Sequence, residues 1–289
     1  MVLGAEVIRP WQADEPLFVT LVDMTTDPIP RPARFPFLEH AGVLAFAHRG
    51  GARFEDDDAS VPPENTLAAF QSCVDMGYRY VETDVHLTRD GVLVAFHDDT
   101  LDRATDRTGR IADLTWSEVR EARVGGSEGI PLFEDVLGTW PELRVNIDPK
   151  HDRAVEALTE VIKRTGAIDR VCVGAFSDAR LRRVRRLLGP RLCTSLGPIG
   201  VTRLKARTVG LPVGSFVQGC AQVPVRQGPI TVVDRRFVSG AHRLGLQVHV
   251  WTIDDPSEME RLIELGVDGL MTDRPRILRD VLMKHRLWD

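Results

Sequence analysis

Glu82 and Asp84 stand one residue apart in the run Val81-Glu82-Thr83-Asp84-Val85-His86, whose spacer residues are all β-branched. In a strand successive side chains alternate faces, so the two acids share a face, joined by His86 on the simplest register. Side by side on a buried face, two carboxylates repel each other and lose hydration. A cation between them removes both penalties. Hard oxygen donors of this kind suit Mg²⁺ or Ca²⁺ better than Zn²⁺, with Mn²⁺ also acceptable. A second apolar run, Val92-Leu93-Val94-Ala95-Phe96, delivers His97 thirteen residues after Asp84. An imidazole next to a cation can move protons at neutral pH.

The elements that must position these groups follow a regular rhythm. A continuous apolar run at residues 43–47 reads as a strand buried on both faces and ends in His48-Arg49-Gly50-Gly51. Pro63-Glu64-Asn65-Thr66 opens a helix carrying Leu67, Phe70 and Val74 that stops at Gly77. After the Glu82/Asp84 strand come a polar insertion at residues 98–130 and a short helix at 133–140. Strands at 143–147, 171–176, 192–195, 215–218, 246–251 and 269–272 then alternate with helices. About eight βα units in a chain of 289 residues predict an α/β fold of the (β/α)₈ barrel type. The runner-up is a doubly wound open sheet, but no GxGxxG phosphate loop follows the first strand. Residues 1–42 carry six prolines and read as an N-terminal arm to one barrel domain at 43–289. Met24 stands as an alternative start.

The polar residues of interest fall at the carboxyl ends of predicted strands. His48 and Arg49 follow the first, Glu82 and Asp84 lie in the second, and Asp148 and Lys150 close the third. Trp251 closes the seventh and Asp273 the eighth. In a barrel these ends converge on one mouth, where catalysis is found. Arg49, Lys150 and a metal make phosphate the natural anion there.

Composition narrows the partners. A net charge of −5 leaves no basic field for nucleic acid. No run of ~18 apolar residues offers a membrane span, and the N-terminus lacks the pattern of a secretory signal. Cys73, Cys172, Cys193 and Cys220 are widely spaced with no CxxC pair. They read as buried reduced thiols in a cytoplasmic protein, not as a zinc or redox motif.

Several of these pieces together resemble the glycerophosphodiester phosphodiesterases. They are Ala47-His48-Arg49-Gly50, Pro63-Glu64-Asn65-Thr66, Glu82-Thr83-Asp84-Val85, Thr88-Arg89-Asp90-Gly91-Val92-Leu93-Val94, His97-Asp98 and Leu101-Asp102-Arg103-Ala104-Thr105. The C-terminal half adds Val250-Trp251-Thr252-Ile253 and the run from Gly266 to Pro275. The resemblance implies a TIM barrel that hydrolyses small-molecule glycerophosphodiesters to sn-glycerol 3-phosphate and an alcohol, with one divalent cation. By matching position it implies His48 and His97 as the acid/base pair and Glu82, Asp84 and Asp148 as metal ligands. Arg49 and Lys150 would hold phosphate, Trp251 would wall the glycerol pocket, and Glu64 and Asn65 would brace the His48 loop. Residues 98–130 would match the small insertion that caps the glycerol side. Oligomeric state is left open.

Two departures stand out. The third ligand is usually Glu in that family, and Asp148 is one methylene shorter. The loop between Gly51 and Glu64 is long and carries an acidic run at residues 55–58, expected to be a solvated loop that alters access to the mouth. Elsewhere the plain readings are preferred. His86 is taken as structural, Asp273 as a cap or hydrogen-bond acceptor, and the arginine-rich run 180–186 as a solvated helix face. Two rival functions remain: lysophospholipase D-like or cyclising lyase activity on lysophospholipids, and a non-catalytic phosphodiester-binding barrel.

Overall fold

The computed structural model describes residues 35–51 and 61–288. Most of the expected arm, and the acidic run at 55–58, lie outside the described residues.

Eight parallel strands form the barrel: β1 Leu44–Ala47, β2 Tyr80–Leu87, β3 Arg144–Pro149, β4 Val171–Val173, β5 Cys193–Thr194, β6 Cys220–Val223, β7 Gln247–Val250 and β8 Gly269–Thr272. Hydrogen-bonded neighbours run β5-β4-β3-β2-β1-β8-β7-β6. The ring closes through a parallel bridge between Ser195 and Cys220, backed by Leu196 N–H donating to the Cys220 carbonyl at 2.8 Å. The sixth strand is Cys220–Val223, not the run at 215–218. Phe216 does bury its side chain, but Gly219 and Cys220 are the residues that bond to β5 and extend alongside β7. A half-apolar run of four residues suits either position, and only the closure of the ring chooses.

Helices clothe the strands. The helix Ala154–Arg164 buries Ala154, Val155, Leu158, Val161 and Ile162, a 3.6-period stripe, and keeps Glu156, Glu160 and Lys163 outward. Burying one such Leu or Ile contributes roughly 1.5–3 kcal/mol, so truncating Leu158 to Ala would cost about 2–5 kcal/mol with its cavity. On the helix Asp178–Leu188, Leu181 and Val184 are buried and Arg182, Arg183 and Arg186 are exposed. Arg180 and Arg185 turn inward and donate to the Pro149 and Leu192 carbonyls at 2.6 and 2.9 Å, so the arginine-rich run is only in part the solvated face expected.

The amino-terminal end of the barrel is plugged by Phe35, Phe37 and Leu38, which pack with Leu44, Phe46 and Tyr80. The Tyr80 hydroxyl donates to the Phe37 carbonyl at 2.9 Å and Gln247 Nε2 to the Leu38 carbonyl at 3.1 Å. The inner wall here also holds Cys172, Cys193 and Cys220, from β4, β5 and β6. With that end filled by side chains, the open end is the one where the strands finish.

After β2 the chain folds back as an antiparallel strand, Leu93–Ala95, pairing His86 with Val94. It leads into the insertion, which has its own small core of Phe96, Leu101, Ile111, Val119, Ala122, Val124 and Ile130. This packing fixes the end of the strand, and with it His97, beside the barrel mouth.

Candidate active site

A cleft of about 600 Å³ opens at the carboxyl ends of the strands. His48, Arg49, Glu82, Asp84, His97, Asp148, Lys150 and Trp251 all line it. Glu64 and Asn65 stand behind that lining and bond to it.

The strand parity inferred for β2 holds: Glu82 and Asp84 face inward and are buried, while Val81 and Val85 pack outward. In the β2–β3 register Asp84 lies directly beside Asp148. Lys150 Nζ sits between them, 2.6 Å from Asp84 Oδ1 and 2.9 Å from Asp148 Oδ2. Asp84 Oδ2 accepts from Asn65 Nδ2 at 3.3 Å and lies 3.6 Å from Arg49 Nε. Glu82 Oε2 accepts from the Arg49 amide at 3.2 Å and is 3.7 Å from His48 Nε2.

The turn that delivers His48 and Arg49 is conformationally demanding. Arg49 adopts φ 55° and Asn65 φ 57°, left-handed values uncommon outside glycine. Gly50, at φ 76°, packs so closely that a Cβ there would meet Ala69 Cβ at 2.9 Å. Asn65 is held on three sides. Its amide donates to the Arg49 carbonyl at 2.7 Å, Thr83 Oγ1 donates to its Oδ1 at 2.7 Å, and its Nδ2 reaches Asp84. The bracing role expected for it thus has a specific geometry.

Each imidazole has a carboxylate on Nδ1. His48 Nδ1 is 2.6 Å from Asp273 Oδ1, and His97 Nδ1 is 2.5 Å from Asp98 Oδ1. An acid on Nδ1 fixes the tautomer and leaves Nε2 to act in the cleft. Asp98 Oδ2 accepts from Arg103 Nε at 2.5 Å, Arg103 Nη2 donates to Glu64 Oε1 at 2.6 Å, and Arg49 Nη1 donates to the same oxygen at 3.3 Å. A chain of alternating charges therefore ties the His97 loop, the insertion and the His48 turn together.

Electrostatics follow from burial and charge. Burial, then the neighbouring Asp84 charge, pushes the Glu82 carboxyl up to about 8. Burial also pushes Asp84 up, but the Lys150 ammonium, with His97 and Arg49, outweighs it and holds that carboxyl below its usual range. Asp148 is raised, chiefly by burial. Burial alone would lower His48, yet Glu82 and Asp273 raise it overall. When all are ionised, the three carboxylates outnumber the Lys150 and Arg49 cations beside them in a buried place, which is part of why Glu82 and Asp148 hold their protons more tightly. That oxygen-only donor set fits a hard dication such as Mg²⁺, Mn²⁺ or Ca²⁺. Arg49 Nε is buried and makes no hydrogen bond, its nearest charged neighbour being Asp84 Oδ2 at 3.6 Å.

One wall of the cleft is apolar: Ala175, Phe176, Leu196, Val201, Val223, Val232 and Trp251. Trp251 meets Phe176 edge to face at 5.8 Å between ring centres.

Asp98, Arg103 and the pairing of Asp273 with His48 were beyond sequence reasoning about roles. His97-Asp98 is an adjacent pair and gave a signal; Asp273, read as a cap or hydrogen-bond acceptor, is an acceptor, but its partner His48 was not named. His86 does not line the cleft; its Nε2 meets the His97 carbonyl at 3.0 Å, consistent with a structural part. Among the described residues, two further groups bring potential ligand atoms within 4.8 Å of one another: Cys172, Cys193 and Cys220, and His86, Asp99 and His151. Neither has a spacing that sequence rules recognise.

A sequence model of the glycerophosphoryl diester phosphodiesterase family matches residues 48–277. The "Probable glycerophosphodiester phosphodiesterase 2" of Mycobacterium tuberculosis is 41% identical over 261 residues, 88% of this chain and 96% of that protein. A crystal structure from Silicibacter pomeroyi superposes with a TM-score of 0.72 at 25% identity, covering 88% of this chain and all of the other. An Oleispira antarctica phosphodiesterase, solved with its product sn-glycerol-3-phosphate, shares the fold with a TM-score of 0.68 at 23% identity, over 84% of this chain and 97% of that one.

Proposed function

The chain belongs to the glycerophosphoryl diester phosphodiesterase family, and from that premise we propose that it hydrolyses glycerophosphodiesters to sn-glycerol 3-phosphate and an alcohol. The observation that carries this reading is the pair of imidazoles, each fixed through Nδ1 by its own carboxylate, lining one cleft with Arg49, Lys150 and three acids.

Glu82, Asp84 and Asp148 would hold a divalent cation, which when bound offsets the negative charge that gathers on the phosphoryl oxygens. Arg49, whose side chain lines the cleft, receives a non-bridging phosphate oxygen, and Lys150 adds a second positive charge. His48, as base through Nε2, takes the proton of the attacking hydroxyl or water. Asp273 stabilises the imidazolium that results. His97 gives its Nε2 proton to the leaving alcohol oxygen as the P–O bond breaks. Trp251 bounds the space where glycerol would lie, whereas no residue of the insertion lines the cleft among the described residues.

The test is release of choline from glycerophosphocholine in the presence of Mg²⁺, Mn²⁺ or Ca²⁺, with His48→Ala and His97→Ala as controls. Each variant is expected to lose at least about 10²-fold in kcat. Unchanged turnover in either would overturn the assignment of that histidine, and binding without turnover in the native protein would favour a non-catalytic barrel. Removing divalent cations with a chelator is expected to abolish turnover, with recovery on adding one back.

The apolar wall from Phe176 to Val232 favours a second reading, in which a lysophospholipid lays its acyl chain along that side. Lysophosphatidylcholine assayed beside glycerophosphocholine separates the two. A cyclic phosphate among the products would mark attack by a substrate hydroxyl.

A further inference from the structure

We propose that His86, Asp99 and His151 form a second metal site, separate from the oxygen-lined cleft and suited to a transition-metal dication of the zinc class. One nitrogen of each imidazole and one Asp99 oxygen all lie within 4.8 Å of one another. His151 Nε2 is 2.8 Å from Asp99 Oδ1, and the two imidazole rings are 5.5 Å apart, centre to centre. Two imidazoles with a carboxylate are borderline donors that favour zinc, cobalt or nickel over magnesium or calcium. Ligand atoms about 2.1 Å from a tetrahedral ion stand ~3.4 Å apart, so closure needs movement of about an ångström.

The surroundings support ligation. His86 Nε2 faces the His97 carbonyl oxygen at 3.0 Å, and a carbonyl only accepts, so Nε2 carries the hydrogen and Nδ1 keeps its lone pair. Such an outer bond is the usual partner of a metal-bound imidazole. Arg110 Nη2 engages the other Asp99 oxygen, Oδ2, at 3.4 Å and leaves Oδ1 turned toward His151. His86 is buried, while the side chains of Asp99 and His151 are 46% and 42% exposed, which leaves an entry path and room for water as a further ligand.

The position gives the site a purpose. Asp99 lies two residues beyond His97, and His151 directly follows Lys150. An ion there would clamp the segment carrying His97 and Asp98 to the segment carrying Lys150. The two segments now meet through the His151–Asp99 ion pair.

The experiment is Co²⁺ binding to tag-free, chelator-stripped protein, read by equilibrium dialysis and by the visible absorption of imidazole-bound cobalt. Excess Mg²⁺ is present throughout. The background is the Glu82→Gln/Asp148→Asn double variant, which removes acids of the oxygen-lined cleft. One Co²⁺ per chain is expected to remain in that background. Adding His151→Ala or Asp99→Asn should weaken it at least about tenfold, with thermal melts checking that each variant is folded. Asp99→Asn is near-isosteric and guards against loss of fold in the first. No cobalt bound in the double variant, or binding that both substitutions leave unchanged, would overturn the proposal. The readout uses no turnover, so it stands or falls apart from the diesterase reading.

Discussion

The way the two imidazoles present themselves to the cleft depends on what holds them. A free histidine ring can present either nitrogen. Asp273 and Asp98 remove that choice by occupying Nδ1. Asp273 is itself anchored, because Asp254 Oδ1 accepts from its amide at 2.8 Å and from Thr272 Oγ1 at 2.9 Å. Asp273→Asn keeps the shape but withdraws the charge that stabilises a protonated His48. We expect kcat to fall about 10²-fold or more with little change in KM or in melting temperature. Steady-state kinetics with a thermal melt check this, and a change confined to KM would contradict it. Asp98 is held near pH 2, where burial is outweighed by hydrogen bonds from Arg103 and His97. It is therefore ionised at any working pH and can act as a fixed counter-charge. His48, Arg49, Glu82, Asp84 and His97 were legible in the sequence because their neighbours are distinctive. The use made of Asp273 was not, because it meets His48 across 225 residues.

Elements set these residues at their angles. The helix Leu67–Asp75 starts on Thr66, whose Oγ1 accepts from the Ala69 amide at 3.1 Å and donates to the Pro63 carbonyl at 2.8 Å. The same start holds Asn65 in its left-handed conformation against Asp84. Thr66→Ala is expected to cost about 1 kcal/mol, measurable by denaturant unfolding, and to lower activity through Asn65. The insertion reaches the site through Arg103, which bridges Asp98 and Glu64. Arg103→Ala should lower kcat about tenfold by releasing the His97 loop. Because Arg103 is half exposed, stability should change by less than about 1 kcal/mol. An equally large loss of stability would mean the bridge is structural only. Helix bounds were read well where local signals mark them, as for the helix opened at Thr66 and stopped at Gly77, which runs Leu67–Asp75, and that expected at 133–140, which runs Phe133–Thr139. The sixth strand was misplaced because short strands carry little period, and pairing decides where they begin.

At the scale of the molecule, the barrel turns local ends into one mouth while the other end is filled by side chains. Away from the mouth, His242 on the helix Arg235–Arg243 meets Asp268, just before β8, at 2.8 Å. Asp268 also accepts from the Val248 amide at 2.7 Å, so this contact ties the helix to two neighbouring strands. The hydrogen bond to Asp268 raises the His242 pKa against a smaller opposing effect of burial. A raised folded-state value means the contribution is complete below the unfolded value of about 6.5 and fades as pH rises through the folded one. His242→Gln should therefore destabilise more at pH ~5.5 than at pH ~8.5. The difference should stay below about 1 kcal/mol because the ring is 40% exposed. Melting curves at both pH values check the sign; a larger effect at high pH would refute it. No helix among the described residues is long and apolar enough to cross a membrane.

The sequence by itself determined the barrel, through the alternation of buried strands and amphipathic helices. It also determined which faces of β2 carry acid, because strand parity is a local property. It named His48, Arg49, His97 and Lys150 because each stands at the carboxyl end of an apolar run. Only the tertiary structure decided who meets whom. It set Asp148 beside Asp84, Asp273 on His48, and Arg103 between Asp98 and Glu64. It also gathered Cys172, Cys193 and Cys220 from three strands, and His86, Asp99 and His151 from separate segments. Periodicity encodes which way a side chain points. Register and closure of the ring choose its partner, and those depend on every strand at once.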